Sequence, residues 1–163
     1  KFDEAIVKYV RRKHNALIGD RTAEEIKRTV GCVYPRSEEA IMEVRGRCLM
    51  TGLPRTFTVS SSEILDALEE VSSAIVEAVH WVLERTPPEL TGDISANGIT
   101  MTGGGSLIWG FDKLIASKTG IPTRVADEAV SCVAYGTGNC LENLSKMQDG
   151  TMNLSRQRQM KAR

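Results

Sequence analysis

Gly98-Ile99-Thr100-Met101-Thr102-Gly103-Gly104-Gly105-Ser106 reads as a short strand running into a triple-glycine turn. The amphipathic run Leu107 to Lys118 that follows reads as a helix with a serine near its start. Three consecutive glycines let backbone N–H groups approach a ligand where any Cβ would clash. A helix start adds unpaired N–H donors and the positive end of its dipole, and together these favour an anion such as phosphate. Tight packing of a strand on a helix produces the same pattern, so a ligand turn and a packing turn both stay open at this point.

Downstream, Gly120-Ile121-Pro122 leads into a strand over Thr123 to Val125 and a final helix from about Ala129 to Leu144. Strand–helix–strand–helix order predicts an α/β half with a parallel, right-handedly crossed sheet. Upstream, Ser60-Ser61-Ser62-Glu63 opens the longest helix, with Ser61 or Ser62 as its cap. An apolar stripe from Ile64 to Leu83 sustains that helix until Pro87-Pro88 ends it. Between Glu39 and Val59, runs of alternating texture punctuated by Gly46 and Thr51-Gly52-Leu53-Pro54 read as a three-strand antiparallel meander. Thr22-Ala23-Glu24-Glu25 has the spacing of a capping box, which predicts a helix from Ala23 to about Val30 closed by Gly31. Phe2, Ile6, Val7 and Val10 recur at helical spacing, and Arg11-Arg12-Lys13 load the end of that first helix with positive charge. Only two buried strands are visible in the α/β half, so strands that complete its sheet are expected to precede Lys1.

The 163 residues, 41% hydrophobic, suffice for one core with a small satellite. Lys+Arg (21) balances Asp+Glu (21), which gives no global field for nucleic acid or a membrane surface. There is no apolar run long enough to span a bilayer and no signal-peptide pattern at Lys1-Phe2-Asp3-Glu4. Cys32, Cys48, Cys132 and Cys140 lack metal spacing, and Cys132 and Cys140 fall on an apolar helical pattern that predicts core positions. A reduced, cytoplasmic compartment is the simplest reading of that usage. His14 and His80 lie far apart in sequence on predicted helices, show no metal-ligand spacing, and read as packed or solvated side chains. The polar, basic tail over 146–163 reads as disordered.

These motifs in this order closely resemble the MreB/Mbl family of bacterial actin homologues, the rod-shape-determining proteins. The resemblance rests on F-D-E-A-I-V-K-Y-V-R-R, L-I-G-D-R-T-A-E-E-I-K, E-V-R-G-R, T-P-P-E-L, D-I-S-A-N-G-I-T-M-T-G-G-G-S-L and T-G-I-P-T-R-V-A-D. It runs from Phe2 to about Leu144 and covers the C-terminal half of such proteins. It implies an actin-like (ribonuclease H-like) ATPase lobe. Residues 1–19 and 60–145 would form part of subdomain IIA, and 20–59 the inserted small α+β subdomain IIB.

By the same resemblance, Gly103, Gly104 and Gly105 would lie against the α-phosphate and sugar of a nucleotide. Glu24 would accept from the ribose hydroxyls, and the stem of Lys27, on the same helix face, would cover the base. Gly110 matches a family glycine near this turn, and Gly136 and Gly138 would allow a close helix crossing near the hinge. The implied cofactor is ATP or ADP with Mg2+. The family's phosphate loops and magnesium-linked carboxylate precede Phe2, so hydrolysis by this chain alone is not expected. Implied partners are further copies in a filament, a RodZ-type membrane adaptor and the cell-wall elongation machinery. The implied location is the cytoplasmic face of the membrane, reached through the parent or its partners and without direct insertion by this chain. Competing readings are a lobe of a chaperone or sugar-kinase relative, and an α/β interaction domain that binds no nucleotide.

Overall fold

The computed structural model describes residues 1–142; the basic tail read at 146–163 lies outside the described residues. Helix α1 (Phe2–His14) carries Asp3 and Glu4 in its first turn and four basic residues in its last, the arrangement its dipole favours. It buries Ile6, Tyr9 and Val10, and Asn15 ends it in the left-handed conformation. Two residues of strand β1 (Ala16–Leu17) lead to helix α2 (Asp20–Thr29), which packs on α1 through Ala23 and Ile26. The capping box expected at Thr22 and Glu25 does not form. Extended Gly19 is the N-cap and turns the chain into the helix at Asp20, so Thr22 already lies inside it.

The expected three-strand meander is corrected to one hairpin plus a distant strand. Strands β2 (Ile41–Cys48) and β3 (Pro54–Ser60) pair without a break from Ile41↔Ser60 to Arg47↔Pro54. The third strand is β1, antiparallel to β2 through Ala16↔Cys48 and Leu17↔Arg47. Gly46 therefore does not end a strand. A Cβ there would approach the Leu17 carbonyl oxygen to 2.8 Å and the Phe57 ring to 3.2 Å, so its bareness admits β1.

Helix α3 (Ser61–Glu84) is capped by Ser60, not by Ser61 or Ser62. Both expected caps are engaged elsewhere: the Ser61 hydroxyl accepts from the Ala40 amide, and the Ser62 hydroxyl donates to Glu39. Ser60 and Glu63 instead form the reciprocal box, with Ser60 Oγ accepting from the Glu63 amide and Glu63 Oε2 accepting from the Ser60 amide at 3.0 Å. Pro87 and Pro88 do end α3, but Pro88 also begins helix α4 (Pro88–Asn97), which the sequence reading left out.

Strands β4 (Ile99–Met101) and β5 (Thr123–Val125) form the predicted parallel pair, joined through helix α5 (Phe111–Thr119). Helix α6 (Cys132–Glu142) buries none of its residues among the described ones. The expectation that Cys132 and Cys140 are core residues is thereby corrected: Cys132 is partly exposed and Cys140 exposed, because no described element covers their stripe. The core joins Ile6, Val10 and Ile26 to Val44, Val59, Ile64 and Leu68, and continues into Ile108, Phe111 and Ile115. Small sheet, helices and glycine turn thus share one apolar cluster.

Glu63 is the electrostatic knot of this packing. Its Oε1 lies 3.1 Å from Lys13 Nζ and 3.2 Å from His14 Nε2, and His14 stacks on Phe57. Burial alone would raise the Glu63 pKa, but the Ser60 amide and the Lys13 ammonium outweigh it and hold the carboxyl below its ordinary 4.5. A lowered folded pKa means the carboxylate's contribution is complete above the ordinary value and is lost as pH falls through the folded one. Ser60→Ala should cost about 1 kcal/mol in urea unfolding at neutral pH. Glu63→Gln should be destabilised at neutral pH and show a flatter loss of stability on acidification than the parent chain.

Candidate functional site

The glycines in and around the triple-glycine turn fall into two physical groups. At Gly110, with φ of +80°, a Cβ would stand 2.5 Å from the Tyr34 Cβ; at Gly98, also with φ of +80°, it would stand 2.5 Å from the Pro122 carbonyl oxygen. These are packing glycines. Around Gly103, Gly104 and Gly105 a Cβ would meet nothing within 4 Å. Among these three, the backbone demands glycine only at Gly103, whose φ is +83°. Tight packing within the described residues therefore does not account for the triple glycine.

The helix expected to start at Leu107 is instead a 3-10 turn, Gly104–Leu107, followed by α5 from Phe111. Gly110, left-handed and pressed against Tyr34, separates the two. The Gly103 amide donates to the Ala129 carbonyl at 2.6 Å, and the Ser106 hydroxyl folds back onto the Gly103 carbonyl at 2.6 Å. Among the described residues the Gly104 and Gly105 amides have no acceptor, as expected for the first donors of a helical turn. Exposed Leu107 (60%) stands beside them. The turn offers two free N–H groups, an open approach and an apolar neighbour.

Glu24 and Lys27 lie on α2. Glu24 is exposed and shares a shallow cleft with Arg21, Glu25, Arg28 and Thr29. Lys27 is partly buried, and its ammonium pairs with Asp3 on α1 at 2.8 Å. That pairing, across 24 residues, gave no signal in the sequence. The segment leaving α2 is tied to the segment leaving the glycine turn. Cys32 forms a parallel bridge with Trp109, and the Val33 amide donates to the Trp109 carbonyl at 3.1 Å. Arg36 and Lys113 lie 4.9 and 4.7 Å from the Trp109 ring centroid. Trp109 and Tyr34 thus fix α2 relative to the glycine turn, a role the sequence reading missed. The one available signal was Gly110 itself.

Gly136 and Gly138 of α6 also have open space where a Cβ would stand, so the described residues make no close helix crossing there. Among the described residues no cluster of three His, Cys, Asp or Glu side chains is placed to hold a metal ion. No helix among them is long and apolar enough to cross a membrane.

The family model for the MreB/Mbl protein matches residues 1–149. The chain belongs to the MreB/Mbl family. It is 49% identical over 147 residues to the cell shape-determining protein Mbl of Bacillus cereus, covering 90% of this chain and 44% of that protein. To the cell shape-determining protein MreB of Escherichia coli K12 it is 51% identical over 142 residues, covering 87% and 41%. The chain thus spans less than half the length of these curated relatives. Among solved structures, MreB5 of Spiroplasma citri bound to ADP superimposes with a TM-score of 0.86 at 39% identity, over 91% of this chain and 46% of that one. The MamK double helical filament subunit matches with a TM-score of 0.66 at 20% identity, over 79% and 39%, a likeness of fold alone. The actin-like expectation for the fold holds.

The two glycine groups predict opposite outcomes on substitution. Gly110→Ala should cost about 2–4 kcal/mol of unfolding free energy, from left-handed strain plus the Tyr34 clash. Gly104→Ala should stay within about 0.5 kcal/mol. Paired urea denaturation curves decide the matter, and equal costs would return Gly104 to a packing role.

Proposed function

We propose that this MreB/Mbl chain forms the adenosine-side wall of a nucleotide cleft in an actin-like, cell shape-determining filament protein. The observation that carries the reading is the glycine turn: open where side chains would stand, with two free amides, and clamped through Trp109 to the helix bearing Glu24 and Lys27. Amides of this kind suit the α-phosphate and sugar edge of ATP or ADP. Glu24 accepts from the ribose hydroxyls. The Asp3 pair fixes the Lys27 head, so its aliphatic stem is held for contact with the base. The solved MreB5 structures bound to ADP and to AMPPNP support nucleotide binding within the family.

The division of labour follows from the resemblance. Phosphoryl transfer needs a metal and a positioned water. This chain contributes binding and orientation, while Mg2+ and its ligands belong to the other wall of the cleft. We assign residues 20–59 to subdomain IIB and 1–19 with 60–145 to subdomain IIA. Self-association into filaments, a RodZ-type adaptor, the cell-wall elongation machinery and a place at the cytoplasmic membrane face complete the reading.

The experiment is a chimera in which this chain replaces the matching part of the Bacillus cereus Mbl protein, titrated with ATP and Mg2+ by calorimetry. Glu24→Ala should weaken binding about tenfold, the worth of a charged hydrogen bond. Gly104→Val should abolish binding while leaving the unfolding curve nearly unchanged. Unaltered affinity in both variants would remove the glycine turn and Glu24 from the site.

A further inference from the structure

Lys27 makes its ion pair across the fold and not along its own helix. Glu24 stands three residues earlier on α2, the spacing at which a glutamate and a lysine ordinarily pair. The Lys27 ammonium instead spans both carboxylate oxygens of Asp3, 2.8 Å from Oδ1 and 3.2 Å from Oδ2. Glu24 makes no ion pair among the described residues.

Both ends of the pair are held in place. Asp3 lies in the first turn of α1 and Lys27 in the last turn of α2, where each helix dipole favours that sign of charge. Phe2, next to Asp3, meets Phe111 edge-on with 6.3 Å between ring centroids. That contact fastens the start of α1 to the start of α5, just beyond the glycine turn. The Lys27 side chain is 21% exposed and that of Asp3 37%, so water and salt screen the pair less than they would one on the open surface.

What the pair withholds is a hydrogen-bond donor. An ammonium donates and cannot accept. Guanine offers two acceptors along one edge, O6 and N7, whereas adenine sets an N6 amino donor beside its N7. A free ammonium at the rim of a purine site therefore favours guanine, and on adenine it meets an amino group. With its head turned onto Asp3, Lys27 presents a base with methylene groups alone, which do not distinguish an oxygen from an amino group.

We propose that Asp3 is a positioning residue that sets the purine preference of the nucleotide cleft by withholding the Lys27 ammonium from the base. This rests on the reading of Lys27 as the cover of the base, and adds to it a residue of α1 that acts only through Lys27.

The test uses the chimera with the Bacillus cereus Mbl protein, titrated by calorimetry with ATP and with GTP, each with Mg2+. Asp3→Ala should shift the ratio of the two affinities toward GTP by about tenfold, the scale of one hydrogen bond to a charged group. A loosened fold would lower both affinities together and leave their ratio alone, so the ratio separates positioning from stability. Adding Lys27→Met to Asp3→Ala removes the donor and keeps an unbranched stem, and the shift should disappear. Asp3→Glu, which keeps the carboxylate, should recover most of the parent ratio. An unchanged ratio in Asp3→Ala, or a shift that survives Lys27→Met, overturns the proposal. Glu24→Ala and Gly104→Val are titrated alongside. If they weaken ATP binding while Asp3→Ala leaves the ratio unmoved, the cleft reading stands and the role of Asp3 falls. If they leave ATP binding unaltered, the cleft reading fails and this proposal fails with it.

Discussion

One carboxylate ties three elements of this lobe together. Glu63 caps its own helix with one oxygen, and the other faces the Lys13 ammonium and the His14 ring at the end of α1. His14 stacks on Phe57 of β3, so the contact reaches into the small sheet. Partial burial of an acid with one partner gains little net free energy, but here the desolvation of this partly buried group is offset by an amide, an ammonium and an imidazole together. The geometry fixes where α1 ends relative to where α3 begins.

The second constraint is the Trp109 clamp. The core cluster reaches from α1 and α2 through α3 to Ile108, Phe111 and Ile115, so the glycine turn is held from below by packing and from the side by the Cys32 bridge. A turn with free amides is useful to a ligand only when those amides do not need to reorganise on binding. Burial of Ile108 and Phe111 on either side of Trp109 and Gly110 supplies that rigidity. The open space around Gly103, Gly104 and Gly105 then remains as a shape in the surface.

Much of this was legible in the sequence wherever the signal was local and periodic. Helices α1 and α3 follow from apolar spacing, the β4–β5 pair from two short strands flanking a helix, and the glycine turn from composition. The misreadings arise where one residue answers to a distant partner. Ser61 and Ser62 look like caps until Ala40 and Glu39 claim them, and Gly46 looks like a strand break until β1 is found beside it. Strand β1 is two residues long and carries no pattern of its own. Pro88 was read only as an ending, although proline is as well suited to open a helix as to close one. For the candidate site, Gly103, Gly104, Gly105, Glu24 and Lys27 were visible through resemblance, whereas Asp3, Tyr34 and Trp109, which position them, act through tertiary contact and have no local signature.

The free amides of Gly104 and Gly105 have a consequence of their own. Backbone N–H groups do not titrate in the range where proteins fold, unlike the lysines and histidines that hold anions in many other sites. An anion received by this turn would find donors of constant strength from mildly acidic to alkaline solution. The pH dependence of its retention there would then be written by the anion's own ionisation, and the turn's share of the recognition would stay the same as the surrounding pH drifts.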